Sequence, residues 1–119
     1  MDKRILVVGA GALGCSSIPG LEEQGQLTVI DGDKVERKNL RNQKCYKESD
    51  IGRWKVEALK DSCPSILPVN QFLTPSLFTE LGTSTSLVVD LADDLHLTMM
   101  LDQLCSEHGI PLLVGERSK

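Results

Sequence analysis

Three glycines at fixed spacing, an aspartate one strand later and a basic polar segment beyond it hold the residues of this chain that could do chemistry. Gly9-x-Gly11-x-x-Gly14 follows the apolar run Ile5-Leu6-Val7-Val8 and opens a segment of helical character. In a strand-to-helix turn of this kind the first glycine permits the bend, the second lets backbone approach a phosphate, and the third lets helix pack on strand. The free N–H groups and the positive end of the helix dipole then favour an anion. Asp31 ends the next apolar run, Leu27-Thr28-Val29-Ile30. It stands about 20 residues past the turn, where a carboxylate accepts hydrogen bonds from ribose hydroxyls. Gly9, Gly11, Gly14 and Asp31 thus form a nucleotide-binding set that suits ATP and NAD equally.

The elements that must position this set alternate along the chain. Residues 4–8, 27–30, 66–69, 87–90 and 111–114 read as five strands, the first and fourth apolar enough to be covered on both faces. Pro68 places the third at an edge. Helices are expected at 12–24, closed by Gly25 and kinked or broken early at Pro19-Gly20, then at 50–62, 77–81 and 94–108, the last ended by Gly109. Residues 33–48 are polar and aperiodic and read as a functional loop with a short helical turn. Strand and helix in alternation imply a Rossmann-like, doubly wound, mainly parallel α/β sheet, expected with its glycine turn in the order 3-2-1-4-5, forming one nucleotide-binding domain over residues 1–119.

Charge is unevenly spread. Nine of the thirteen Lys and Arg lie between Lys34 and Lys60, and none lies between Asp61 and Glu116, where eight acidic residues fall. A basic loop beside an acidic half suits a triphosphate on one side and a metal on the other. A net charge of -4 and only four aromatic residues argue against a nucleic-acid partner. No segment has the roughly 20 apolar residues of a membrane span, and Met1-Asp2-Lys3-Arg4 runs into the first strand without a signal-peptide pattern. Cys15, Cys45, Cys63 and Cys105 form no CxxC pair, so packed thiols in a reducing cytoplasm are expected rather than bridges.

The segment after Asp31 separates the nucleotides. An NAD-binding domain normally turns from that strand into a helix without a long basic excursion. Here Asp33-Lys34-Val35-Glu36-x-x-Asn39-Leu40-x-x-Gln43 is followed by Asp50-Ile51-Gly52-x-x-Lys55, then Val89-Asp90-x-x-Asp93 and Pro111-Leu112-Leu113-Val114-Gly115. These dispersed motifs, in this order, resemble the ThiF/MoeB/HesA and ubiquitin-activating-enzyme family. The resemblance implies ATP and Mg²⁺ as cofactors and adenylation of the C-terminal glycine carboxylate of a ubiquitin-like or sulfur-carrier protein, usually within a dimer. It assigns Asn39 and Lys55 to the phosphates, Asp93 to Mg²⁺ and the triphosphate, and Asp33 and Gln43 to the shape of the loop. Lys55 and Asp93, with Arg41, are the implied catalytic residues.

Three departures from the family pattern stand out. Family members usually carry Asn-Leu-x-Arg-Gln, whereas this chain reads Asn39-Leu40-Arg41-Asn42-Gln43, with arginine one place early. A second arginine, often found in the helix after the aspartate, is missing, with Thr98 near its position. The family's lead-in helices, later strands, zinc-binding cysteine pairs and thioester cysteine have no counterpart in these residues. A non-catalytic scaffold or dimer partner of an adenylating enzyme is therefore a second reading. A small NAD-binding module, resting on the glycine turn and Asp31 alone, is a third.

Overall fold

The computed structural model describes residues 3–82 and 84–115, which leaves Met1, Asp2 and Glu116 of the sequence analysis outside the described residues. Five strands, β1 (Arg4–Val8), β2 (Gln26–Ile30), β3 (Leu67–Val69), β4 (Leu87–Asp90) and β5 (Leu112–Val114), pair in parallel in the order β3-β2-β1-β4-β5. The expected order holds. Alternation along each strand divides the core between the two faces. Ile5, Val7, Leu27, Val29 and Val89 pack with Ile18 of α1 (Ala12–Leu21) and with Val56 and Leu59 of α2 (Lys55–Ser62). Leu6, Val8, Ile30 and Val88 pack with Phe78 of α3 (Pro75–Gly82) and with Leu101 and Cys105 of α4 (Leu95–His108). Both faces are covered, which is why β1 carries apolar residues at every buried position. No helix among the described residues is long and apolar enough to cross a membrane.

The register aligns the strands' carboxyl ends. Val8 pairs with Ile30 on one side and Asp90 on the other, Ile30 with Val69, and Asp90 with Val114. The chain leaves β1 and β4 as neighbours here, at the switch point where a doubly wound sheet opens a crevice.

Two helix boundaries differ from the sequence expectation. Helix α1 runs through Pro19 to Leu21 and then tightens into a 3-10 turn, Glu22–Gln24. The proline sits near the helix end, so it interrupts little of the ladder. Helix α2 begins at Lys55 rather than at residue 50. Asp50 is only 3% exposed and anchors its own 3-10 turn, Glu48–Asp50: it accepts from the Lys47 amide (2.9 Å) and pairs with Arg53 (2.9 Å). Gly52, at φ +91°, then bends the chain away from helix.

The cysteines also depart from expectation. Cys15 and Cys45 are joined by a disulfide across a sequence separation of 30, while Cys63 and Cys105 are free and buried. No spacing motif marks this pair, because the contact forms only when the long loop folds back over the start of α1. Tyr46, the next residue, is buried and donates its hydroxyl to the Ala10 carbonyl inside the glycine turn. Burial, with Asp31 and Asp50 nearby, pushes the phenol pKa well above its ordinary value, so the hydroxyl remains a donor through the neutral range. Closing a loop of this length contributes about 2–4 kcal/mol. Cys45→Ser, or reduction of the wild type, is therefore expected to lower stability by about that amount in paired urea melts with and without reductant.

Candidate nucleotide-binding site

The glycine turn is built by close approach. Gly9 has φ +109°, and a Cβ placed on it would lie 2.7 Å from the Ala92 amide nitrogen. Its own amide donates to Ile30 O (2.9 Å), tying the turn to the end of β2. A Cβ on Gly14 would meet the Gly9 carbonyl at 2.6 Å, so this third glycine sets how closely α1 packs on β1. Gly11 is the N-cap of α1 and has no side chain to occupy the helix's first amides. Those amides face the crevice with the positive end of the dipole.

Asp31 locks the turn from the β2 side. One carboxylate oxygen accepts from the Ala10 amide (2.8 Å) and the other from the Asp33 amide (2.8 Å). Each oxygen keeps a free lone pair for a ligand hydroxyl. Residues 33–35 then pair antiparallel with residues 52–55: Val35 N donates to Arg53 O (2.8 Å), Gly52 N to Val35 O (2.9 Å) and Lys55 N to Asp33 O (3.0 Å). This pairing carries Lys55 to the mouth of the glycine turn.

The resulting pocket has a volume of about 320 Å³ and is lined by Gly9, Gly11, Asp31, Asp33, Gln43, Lys55 and Asp93 among others. Lys55 is 5% exposed, and the ion pairs of the described residues leave it without a carboxylate partner. It is the only Lys or Arg on the lining among those residues. Gln43 presents a buried Oε1 with no hydrogen-bond partner. A buried acceptor without a donor costs stability unless a ligand completes it.

The carboxylates on the lining have different employments. Asp94 is the N-cap of α4, its Oδ1 accepting from Leu97 N (3.2 Å). Asp93 is therefore free of the helix cap and exposed to the pocket. It is also the one non-glycine residue with positive φ (+56°) among the described residues, a conformation costing about 1–2 kcal/mol that surrounding structure must hold. The described residues hold no cluster of three or more metal-binding side chains. One carboxylate supplemented by phosphate oxygens is, however, an ordinary set for Mg²⁺, and Asp93 fits it.

Three positions singled out from sequence fall outside the lining. Gly14 lies behind the turn, as described. Asn39, in a 3-10 turn (Arg37–Arg41), is 9% exposed, with its Oδ1 accepting from the Glu36 amide (2.8 Å). Arg41 is exposed at the end of the same turn, while its neighbour Asn42 lines the pocket. A one-residue shift of the arginine thus exchanges a cation for an amide at that wall. Phe72 and Leu73, after β3, also line the pocket and went unnoticed in the sequence. Their position at the carboxyl end of a strand was the available signal. Trp54 is half-exposed, with the Lys34 ammonium 4.7 Å from its ring centroid.

Fold and pocket together define a doubly wound nucleotide-binding domain. The family model described as the ThiF family matches residues 1–118, and the chain belongs to that family. It is 35% identical over 122 residues to the molybdopterin-synthase adenylyltransferase of Salmonella typhimurium, covering 96% of this chain and 49% of that protein. It is 34% identical to the SAMP-activating enzyme E1 of Haloferax volcanii, covering 97% of this chain and 46% of that one. The solved E. coli tRNA N6-threonylcarbamoyladenosine dehydratase, TcdA, in complex with ATP superposes with a TM-score of 0.81 at 27% identity, covering 95% of this chain and 50% of that one. The chain thus spans about half the length of the relatives it matches.

Gly9→Ala is expected to destabilise the fold by about 2–3 kcal/mol in chemical denaturation, because the methyl group meets Ala92 backbone that cannot step aside. Lys55→Met should behave differently. Its melting temperature should stay close to that of the wild type, while calorimetric affinity for a nucleoside triphosphate falls about 10- to 100-fold.

Proposed function

We propose that this chain is the nucleotide-binding half of an ATP-dependent adenylating enzyme that activates the C-terminal carboxylate of a ubiquitin-like or sulfur-carrier protein. The observation that carries the reading is Lys55: a largely buried lysine on the pocket lining, without a carboxylate partner among the described residues, beside the glycine turn and an uncapped helix start. That arrangement answers to a polyanion. The molybdopterin-synthase adenylyltransferase and the SAMP-activating enzyme among the relatives support the reaction class. The solved relative in complex with ATP supports the nucleotide.

In this reading the amides at the start of α1 and the Lys55 ammonium bind the phosphates, and Asp31 accepts from the ribose hydroxyls. Gln43 Oε1 accepts a donor from the nucleotide, which completes its hydrogen bonding. Bound Mg²⁺, held through Asp93, supplies charge neutralisation for the triphosphate. The carrier's carboxylate oxygen attacks the α-phosphorus, the bond to the β-phosphate oxygen breaks, and pyrophosphate leaves with the electron pair. The residues act by position and charge, without an acid–base pair. The carrier site and a dimer partner fall to the remaining half of an enzyme of the relatives' length.

One observation favours the scaffold reading as a second possibility. Lys55 is alone on the lining, since Arg41 stands outside it, so a single cation faces a triphosphate. Titration of the chain with Mg-ATP and with NAD tests nucleotide choice: binding of ATP alone, in the micromolar range, is expected. NAD binding alone would overturn the assignment. Carrier-dependent exchange of labelled pyrophosphate into ATP, in the context of the full-length enzyme, then distinguishes the enzyme from the scaffold, and exchange is the expected result.

A further inference from the structure

The turn that delivers Asp93 to the pocket hangs on one buried carboxylate with no role in the scheme above. Asp90, the last residue of β4, is 1% exposed. Its Oδ1 accepts from the Ala92 amide (3.1 Å), and its Oδ2 accepts from the Thr98 hydroxyl in the first turn of α4. Thr98 Oγ1 also lies 3.1 Å from the Asp94 carbonyl, but a carboxylate is the stronger acceptor for its single proton. One side chain therefore grips both ends of the segment 92–98, and Asp93 sits inside that grip at φ +56°. The remaining restraints act on either side of Asp93. Leu91 N donates to Val8 O (2.8 Å), Ala92 rests against Gly9, and Asp94 caps α4. Asp93 itself makes no side-chain hydrogen bond among the described residues. Aspartate enters the left-handed region more readily than most side chains, but that conformation is still uncommon outside glycine, and the Asp90 bridge to Thr98 closes the loop that holds it here.

We propose that Asp90, through Thr98, is a positioning residue that holds Asp93 in its left-handed conformation and so sets the Mg²⁺-dependent part of nucleotide affinity. The second clause rests on the role proposed for Asp93, whereas the first does not. A buried carboxylate that satisfies an amide and a hydroxyl could serve folding alone. The separating feature is where its two partners lie, one on each side of the only strained residue in the pocket.

The test uses Thr98→Val, which deletes the hydroxyl at nearly constant volume, with Thr98→Ser as the conservative rescue and Asp90→Asn as a second break. Two readouts are taken on each folded variant: the Asp93 backbone conformation, from backbone chemical shifts, and ATP affinity by calorimetry with Mg²⁺ and with chelator. In Thr98→Val the Asp93 shifts are expected to leave the left-handed range. The gain in ATP affinity on adding Mg²⁺ should fall about tenfold, a loss of about 1.4 kcal/mol. Affinity without Mg²⁺ should be unchanged, and Thr98→Ser should restore both readouts. A left-handed Asp93 in both Thr98→Val and Asp90→Asn overturns the inference, as does an equal loss of affinity with and without Mg²⁺, which marks a purely structural role. If wild type shows no Mg²⁺-dependent gain, the role given to Asp93 fails, and the chemical shifts still decide the positioning.

Discussion

The close approach of Gly9 to Ala92 is the constraint on which the pocket depends. Three strand ends converge there: β1 enters the turn at Gly9, β2 receives the Gly9 amide at Ile30, and β4 lays its Ala92 backbone where a Cβ would otherwise stand. Each strand then contributes one wall within one to four residues of its end: the α1 amides, Asp31, and Asp93. Any side chain at position 9 would separate the first wall from the third. The parallel register matters for the same reason, because it brings Val8, Ile30 and Asp90 level before the chain turns.

The fourth wall comes from a segment with little apolar content to fold it. Residues 33–55 hold their place through a few specific anchors instead. Antiparallel pairing with residues 33–35 delivers Lys55, the pairing of buried Asp50 with exposed Arg53 fixes the bend before it, and Tyr46 pins the middle to the Ala10 carbonyl. The Cys15–Cys45 bond fastens the same stretch to α1. Such anchoring makes a polar loop as fixed as a strand where it meets the ligand. Its outer face, with Arg37, Lys38, Arg41 and Lys44, remains exposed.

Carboxylates near the pocket are divided by employment. Asp31, Asp90 and Asp94 accept from backbone amides, so part of their charge is already balanced by fixed dipoles. Asp93 is not engaged in this way. The acidic half of the chain therefore offers a triphosphate one free carboxylate suited to a metal instead of a wall of repulsion. Lys55, largely buried and without a carboxylate partner among the described residues, is the one cation on that lining.

The sequence alone determined the parts governed by local periodicity and by backbone sterics. Five apolar runs separated by helical patterns specify a parallel sheet covered on both faces, and the glycine spacing with Asp31 specifies where it opens. The order 3-2-1-4-5 was expected from the fold class and is the order observed, and the ThiF family membership was legible in motifs that surround those regularities. Tertiary structure decided everything in the aperiodic stretches. It gave the α4 cap to Asp94 and left Asp93 free, turned Asn42 to the pocket rather than Arg41, and put Asn39 to work inside its own turn. It also joined two cysteines that share no motif and brought Phe72 against Gly32 at the pocket. In a segment without period, a side chain's direction is set by contacts with residues distant in sequence, and those contacts exist only once the sheet has assembled.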